Sequence, residues 1–380
     1  VREVWLDGPE TIEELKGTLA EALAGGPPVL PLDARDPSAG RLRDAMAPGE
    51  PVEPGTAVII ATSGSTGEPK GVLLSAGALT SSATATHDRL GGPGHWLLAT
   101  PAQYIGGLQV VVRSLLAGTS CTVLPPGPFR ADQFAEAVSG MPRGGGPRYT
   151  AMVPTQLVRL LDAGGAGLEA ARTFDAIILG AAATSAALRE RAADAGVRIV
   201  PAYGMSETAS GCVYDGVPLD GVRAEVEPDG RILLSGPVLA HGYRLRPELT
   251  AESFVDGWFR TSDEGVLSDG KLAVLGRLDH VINTGGVKVS AAAVEGVLTG
   301  CTGVREACVV ALPDAEWGQI VAAAVVVEPA GAADPSGLRA AVGARLGAAA
   351  VPKRLEFVEA LPLRGPGKIN RSAVVSRIFP

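Results

Sequence analysis

Between residues 97 and 203 the sequence alternates short apolar runs with amphipathic stretches, and this constrains the fold more than any other feature. Leu97–Thr100, Cys121–Leu124, Tyr149–Val153, Ala176–Leu179 and Arg198–Ala202 read as strands. Gly107–Ala117, Ala131–Val138, Thr155–Leu161 and Ser185–Ala195 read as the helices between them. Strands separated by single helices predict βαβ units, hence a parallel sheet covered by helices. In such sheets ligands bind beyond the carboxyl ends of the strands.

Two changes of texture follow. From about 220, short strands (Gly221–Val226, Arg231–Leu234, Lys271–Leu275) are joined by turns such as Pro228-Asp229-Gly230, Asp256-Gly257 and Asp269-Gly270, which is hairpin chemistry. After Gly276 come a helix (Ser290–Leu298), two strands (Ala307–Leu312, Ile320–Glu328), a helix (Ser336–Leu346) and a strand (Arg354–Phe357). About a hundred residues suffice for a small α+β domain. The expectation is therefore an α/β protein with a large domain over 1–277, carrying parallel sheet layers and a small β-rich subdomain. A small, mobile α+β domain over 278–380 follows it.

Composition excludes several functions. The net charge of −8 argues against a protein that coats nucleic acid. Cys121, Cys212, Cys301 and Cys308 form no CxxC pair, and His87, His95, His241 and His280 are scattered, so no zinc-type ligand set is present. So few cysteines in 380 residues are no disulfide framework and point to a reducing, cytoplasmic setting. The apolar run Ile320–Val327 is only eight residues long, a buried strand rather than a membrane span. Only six of the 33 basic residues are lysine: Lys16, Lys70, Lys271, Lys288, Lys353 and Lys368. Codon bias explains the scarcity but not where these six stand.

Four segments carry the chemistry. Thr62-Ser63-Gly64-Ser65-Thr66-Gly67-Glu68-Pro69-Lys70-Gly71 follows the apolar run Val58–Ala61. Its glycines let backbone N–H groups approach an anion and its hydroxyls add donors, so phosphate is the natural ligand, with an ordinary surface turn as the alternative. It is not a Walker A loop, because Pro69-Lys70-Gly71 replaces Gly-Lys-Ser/Thr. Tyr203-Gly204-Met205-Ser206-Glu207-Thr208 ends the last parallel strand. It offers a ring to stack on a base, hydroxyls for phosphate, and a carboxylate able to hold Mg²⁺ beside phosphates. Trp258–Asp263 and Gly276–Asp279 supply an Asp suited to ribose hydroxyls and an Arg as a second donor set. Gly365-Pro366-Gly367-Lys368 presents a lysine from a turn.

Taken together and in order, these segments resemble the adenylate-forming superfamily of acyl-CoA synthetases, peptide-synthetase adenylation domains and luciferases. The resemblance covers about Ala57 to Arg371. Thr62–Gly71 is similar to its phosphate loop and Tyr203–Thr208 to its YGxTE motif, with Ser206 where Thr is usual. Gly230–Thr250 resembles the next motif, Arg260–Asp263 the TGD motif with Ser262 for Gly, and Gly276–Ser290 the hinge motif. Pro362–Arg371 resembles the last motif, with Arg364 for the usual Thr.

The resemblance implies an ATP-dependent ligase that joins a carboxylate to AMP and then transfers the acyl group to the thiol of coenzyme A, with Mg²⁺ required. Its catalytic residues would be Lys368, Glu207 and Lys70. Thr62, Ser63, Gly64, Ser65, Thr66, Gly67 and Lys70 would wrap the phosphates, with Ser206 adding a hydroxyl. Gly180, Ala181, Ala182, Tyr203 and Gly204 would hold adenine, and Asp263 with Arg277 the ribose. Glu207 would bind the metal. Asp279 would be the hinge, and Gly285, Gly286 and Lys288 would come to the CoA side. Lys288 has a solvated surface reading as well; Lys16, Lys271 and Lys353 have no functional one.

Only about sixty residues precede the phosphate loop, a shortening that resembles o-succinylbenzoate–CoA ligases of menaquinone synthesis. Tyr104, Gly106, Gly107 and Arg113 would line the acyl pocket. Tyr104 stands where the family usually has His, and Arg113 follows it by nine positions, as an Arg does in those ligases. A guanidinium there suits a second, non-reacting carboxylate. Another aryl- or acyl-CoA ligase, or an enzyme loading a carrier protein, is the alternative. The partners expected are a small carboxylate, ATP and CoA, without nucleic acid or membrane; a homodimer is compatible with the sequence.

Overall fold

The computed structural model describes residues 1–63, 69–328, 333–364 and 368–380. The structure has a large α/β domain and a smaller C-terminal α+β domain. Its central sheet contains the expected parallel strands His95–Leu98, Cys121–Val123, Arg148–Met152, Ala176–Leu179 and Ile199–Met205. Two antiparallel strands, Ser210–Tyr214 and Val217–Pro218, extend it beyond the reading from sequence. Side chains such as Trp96, Tyr149, Ile177 and Leu179 are wholly buried, because helices cover both faces.

A second sheet places Arg2–Leu6, Val29–Asp33 and Val58–Ser63 in parallel, followed by antiparallel Pro69–Leu74 and the short edge strand Gly242–Tyr243. The segment Met46–Glu53 is clasped onto this sheet by a single side chain. The buried guanidinium of Arg244 donates to the carbonyls of Met46, Ala47, Glu50 and Pro51 and pairs with Glu53 at 3.0 Å. A third, all-antiparallel sheet contains Arg223–Val226, Arg231–Ser235, Phe254–Val255, Trp258–Ser268 and Lys271–Arg277.

In the C-terminal domain the strands Val304–Asp314 and Gly318–Val327 form a long hairpin whose two faces are both buried. The period-2 alternation sorts their side chains. Val321, Ala323 and Val325 pack with the helices Ala291–Thr299 and Pro335–Leu346. Ala322, Ala324 and Val326 pack with Val374 and Phe379 at the last helix, Arg371–Ile378. The eight-residue apolar run is thus a central strand. Side-chain caps start the helices where the sequence changes character: Ser75, Ser185, Ser290, Asp334 and Asn370 each accept a backbone N–H three residues on. Among the described residues no helix is long and apolar enough to cross a membrane.

Candidate active site

The candidate phosphate end is built on a ladder. Val58–Ser63 and Pro69–Leu74 pair up to Ser63↔Pro69, with Thr62 opposite Lys70 and its hydroxyl donating to the Lys70 carbonyl. Gly64, Ser65, Thr66 and Gly67 lie outside the described residues, as does Glu68. Lys70 Nζ stands 3.9 Å from Glu207 Oε1, with both side chains largely buried. The same oxygen accepts a hydrogen bond of 2.9 Å from the Tyr243 hydroxyl, and Lys70 lies over the Tyr243 ring at 4.8 Å. Burial, reinforced by Glu207, pushes the Tyr243 phenol above its ordinary value and keeps it a donor. Sequence reasoning did not single out Tyr243; the Gly-Tyr pair inside Gly230–Thr250 was its only trace.

Tyr203–Thr208 is held as one turn. Tyr203, Gly204 and Met205 end the strand, and Ser206, Glu207 and Thr208 form a 3₁₀ turn. The Thr208 hydroxyl accepts the Met205 N–H and donates to the Ser210 carbonyl at 2.7 Å. Gly204 lies against the Ser210 carbonyl and Gly211 backbone, where a Cβ would collide. Ala209 and Ser210 adopt left-handed φ values of 49° and 97°, unusual for residues other than Gly. Ala181, beside Gly180 and the exposed Ala182, is left-handed as well, at 67°.

Two further motifs meet through strand pairing. Asp263 and Arg277 are cross-strand partners, their charges 3.8 Å apart. The Tyr203 hydroxyl donates to Asp263 Oδ2 at 2.7 Å. Burial pushes the Asp263 carboxyl up, while the Tyr203 hydroxyl and Arg277 oppose that rise. Arg277 also forks onto Asp279, the expected hinge residue, at 2.8 and 2.6 Å. Tyr203, Asp263, Arg277 and Asp279 therefore form one chain of contacts.

At the acyl end, the helix Ile105–Ala117 carries the candidates. Tyr104, at its N-cap, is half-buried; burial and then Asp36 and Asp33 raise its phenol's pKa, and the neighbouring Gln103 donates to Asp33. Gly107 is packed on the carbonyls of Thr100 and Pro101, leaving no room for a Cβ, whereas a Cβ at Gly106 would meet nothing within 4 Å. Gly106, Gln109 and Arg113 share one helix face. Arg113 is 1% exposed and does not point to solvent. Its guanidinium lies over the Trp96 ring at 5.1 Å. Among the described residues its Nε and Nη2 have no hydrogen-bond partner, nor does Gln109 Oε1.

His87 lies in the same cluster, its Nε2 accepting the Trp96 indole N–H. Burial, and then the charge of Arg113, push its imidazole from 6.5 down to about 4. The unfolded chain takes up this proton below pH 6.5 while the folded one does not. Stability from this group is therefore lost as pH falls from about 6.5 to 4, by at most about 3 kcal/mol. His87→Gln should flatten the fall of Tm across that window relative to wild type; parallel curves would show that His87 is not kept neutral by the fold.

In the small domain, Lys368 is exposed on a short hairpin, Leu363–Arg364 with Lys368–Ile369. Gly365, Pro366 and Gly367 lie outside the described residues. Arg371, three residues on, anchors the hairpin by forking onto Glu295 at 2.6 and 3.0 Å and donating to the Val309 carbonyl. Gly285 and Gly286, at φ 57° and 81°, form the two-residue turn between Val281–Thr284 and Val287–Ser290. That turn by itself requires two residues of positive φ. Gly285 also abuts the Trp317 ring, with no room for a Cβ. Lys288 is exposed on the adjoining strand. Of the unassigned lysines, Lys353 lies 3.7 Å over the Trp317 ring, Lys16 pairs weakly with Glu13, and Lys271 opens an exposed strand.

Among the described residues no group of three His, Cys, Asp or Glu could hold a metal by itself. One carboxylate, Glu207, beside Lys70 of the candidate phosphate loop fits Mg²⁺, which is usually bound by one or two carboxylates together with substrate phosphates.

Fold and site together define a nucleotide-binding α/β protein. The chain belongs to the AMP-binding enzyme family: residues 20–244 match it, and residues 293–368 match the AMP-binding enzyme C-terminal domain. It is 44% identical over 344 residues, 88% of either chain, to a Mycobacterium tuberculosis protein described as a probable 2-succinylbenzoate–CoA ligase. It is 33% identical to a feruloyl-CoA synthase of Amycolatopsis, over 84% of this chain and 69% of that one. Its fold matches the crystal structure of ATP-bound MatB from Rhodopseudomonas palustris with a TM-score of 0.83 and 25% identity, over 100% of this chain and 89% of that one.

Proposed function

We propose that the protein is an ATP-dependent carboxylate–CoA ligase that converts o-succinylbenzoate to o-succinylbenzoyl-CoA, a step of menaquinone synthesis. The observation that carries the substrate is Arg113, a buried cation with two unanswered N–H groups on the open Gly106 face. A buried charge of this kind is costly until paired. Gly211 pairs with Gly204 at the nucleotide end, and the Tyr214 phenol is close enough to Arg113 to act on its charge. The Tyr214 ring lies back over Gly211, its hydroxyl 3.8 Å from where a Gly211 Cβ would stand. A substrate with a second carboxylate can therefore reach from the nucleotide end to Arg113. Both its carboxylates are then used, one for reaction and one for Arg113.

In the first half-reaction a carboxylate oxygen attacks the α-phosphorus of ATP and pyrophosphate leaves. Two anions must meet, so the protein contributes positioning and charge neutralisation. Lys70, released from Glu207, takes phosphate with the loop Thr62–Gly67 and the Ser206 hydroxyl. Asp263 and Arg277 hold the ribose; Tyr203, Gly204 and Gly180–Ala182 flank adenine. Glu207 would hold Mg²⁺, which would supply additional charge neutralisation at the phosphates. Lys368 joins the carboxylate to the α-phosphate. We take the domain boundary after Arg277 and the pivot at Asp279, about which the small domain turns to bring Gly285, Gly286 and Lys288 to the CoA side. The CoA thiol then displaces AMP. We place the enzyme in the cytoplasm, where ATP and CoA are made; its four cysteines are free.

ATP-dependent CoA-thioester formation, read by pyrophosphate release, tests the assignment. Turnover should depend on o-succinylbenzoate, with benzoate, ferulate and medium-chain fatty acids at least ~10²-fold poorer in kcat/KM, because each leaves Arg113 unpaired. Equal turnover with any of these would sink it.

A further inference from the structure

Tyr243 is 4% exposed and stands at the junction of the two phosphate-end motifs. Its strand, Gly242–Tyr243, pairs with Leu73 and Val72, and the Arg244 N–H donates to the Gly71 carbonyl, so the strand bearing Lys70 fixes its backbone. The Ala240 N–H donates to the Glu207 carbonyl at 2.8 Å, so the same segment also fixes the backbone of the glutamate. Phe254 packs on the Tyr243 ring at 5.7 Å between centroids. With the ring held on both sides, its hydroxyl has one acceptor at 2.9 Å, Glu207 Oε1.

The two oxygens of Glu207 therefore differ. Oε1 receives the Tyr243 hydroxyl and faces Lys70 at 3.9 Å. Among the described residues no hydrogen-bond or ion-pair partner meets Oε2. A carboxylate with one oxygen occupied is fixed in rotation and presents the other, as partners beyond the ligand shell do at metal sites.

We propose that Tyr243 is a positioning residue for the nucleotide–metal end of the reaction. Its hydroxyl holds Glu207 through Oε1 and leaves Oε2 for the cation that accompanies ATP. Its ring gives the Lys70 ammonium a second resting place, so that Lys70 can leave Glu207 for phosphate without a wholly uncompensated charge. This rests on the ligase reading above.

Tyr243→Phe keeps the ring and removes only the hydroxyl. Mn²⁺ binding to the enzyme–ATP complex, followed by electron paramagnetic resonance, should weaken ~10-fold. The Mg²⁺ concentration for half-maximal pyrophosphate release should rise by a similar factor, and excess Mg²⁺ should restore most of the rate. Because the hydroxyl acts through the carboxylate, adding Tyr243→Phe to Glu207→Gln should weaken Mn²⁺ binding by less than ~2-fold more. Unchanged Mn²⁺ affinity in Tyr243→Phe, or full additivity with Glu207→Gln, would overturn the proposal. A wild-type protein that binds ATP with Mn²⁺ but releases no pyrophosphate with any carboxylate would sink the ligase reading instead, and the Mn²⁺ comparison would still decide the role of Tyr243.

Discussion

Lys368→Ala should lose ~10²–10³-fold in carboxylate-dependent pyrophosphate release, and more if the lysine also orients the attack. The reason is electrostatic. The attacking carboxylate and the α-phosphate repel each other as they approach, and charge builds up between them in the transition state. A cation placed there stabilises that state more than the separated reactants, so its loss falls on kcat rather than on binding. Lys368 is suited to this task by its setting: the side chain is exposed, while its hairpin is rooted by the Arg371–Glu295 fork. The second half-reaction joins a neutral adenylate carbonyl to a thiol and has no need of that cation. Preformed acyl-adenylate should therefore still react with CoA in the variant, and the two half-reactions can be measured separately. Equal loss in both would contradict a lysine that serves adenylation alone.

Arg113→Met should raise the KM for o-succinylbenzoate enough to lower kcat/KM ~10²-fold, with a smaller change in kcat. The companion expectation concerns the protein without substrate. Arg113 is desolvated and lacks hydrogen-bond partners for two of its nitrogens. Replacing an unpaired buried charge by an apolar chain of similar length removes a penalty rather than a bond. The free variant should therefore melt no lower than wild type. An unchanged KM, or a fall of several degrees in Tm, would make Arg113 a packing residue held by Trp96.

The parallel sheet was legible because its strands and most of the helices in 97–203 carry their own periodicity; the short Gly- and Ala-rich helix Gly165–Arg172, a second helix between two of the strands, has too weak a pattern and was missed. The candidate phosphate end could also be picked out locally, since lysines are scarce and Lys70 stands inside a hydroxyl-rich segment. Three further things were not legible. The Asp263–Arg277 pairing depends on strand register, which the bulge between Glu264 and Gly265 shifts, and no local pattern announces it. The role of Tyr243 comes from an edge strand of two residues, too short to have a period, joined to a partner strand some 170 residues earlier. The unpaired state of Arg113 is a property of its surroundings: its place on the helix can be read locally, but not whether that place faces solvent. Conversely, the Gly285-Gly286 pair, which the resemblance brings to the CoA side, also has a reason nearer at hand in the backbone of a hairpin turn.

The Arg244 clasp has a consequence for how the chain is made. It joins residues 198 positions apart. A ribosome adding ~5–20 residues per second takes ~10–40 s to travel from Met46 to Arg244. During that interval the sheet containing Val29–Asp33 and Val58–Ser63 has neither its edge strand nor the guanidinium that gathers the Met46–Glu53 carbonyls. Leu30, Leu32, Ile59 and Leu73, which form a separate small core beneath that segment, stay open to solvent while the central domain is already emerging. The N-terminal part of the large domain is thus synthesised early and consolidated late, and it is the part most in need of chaperone cover during translation.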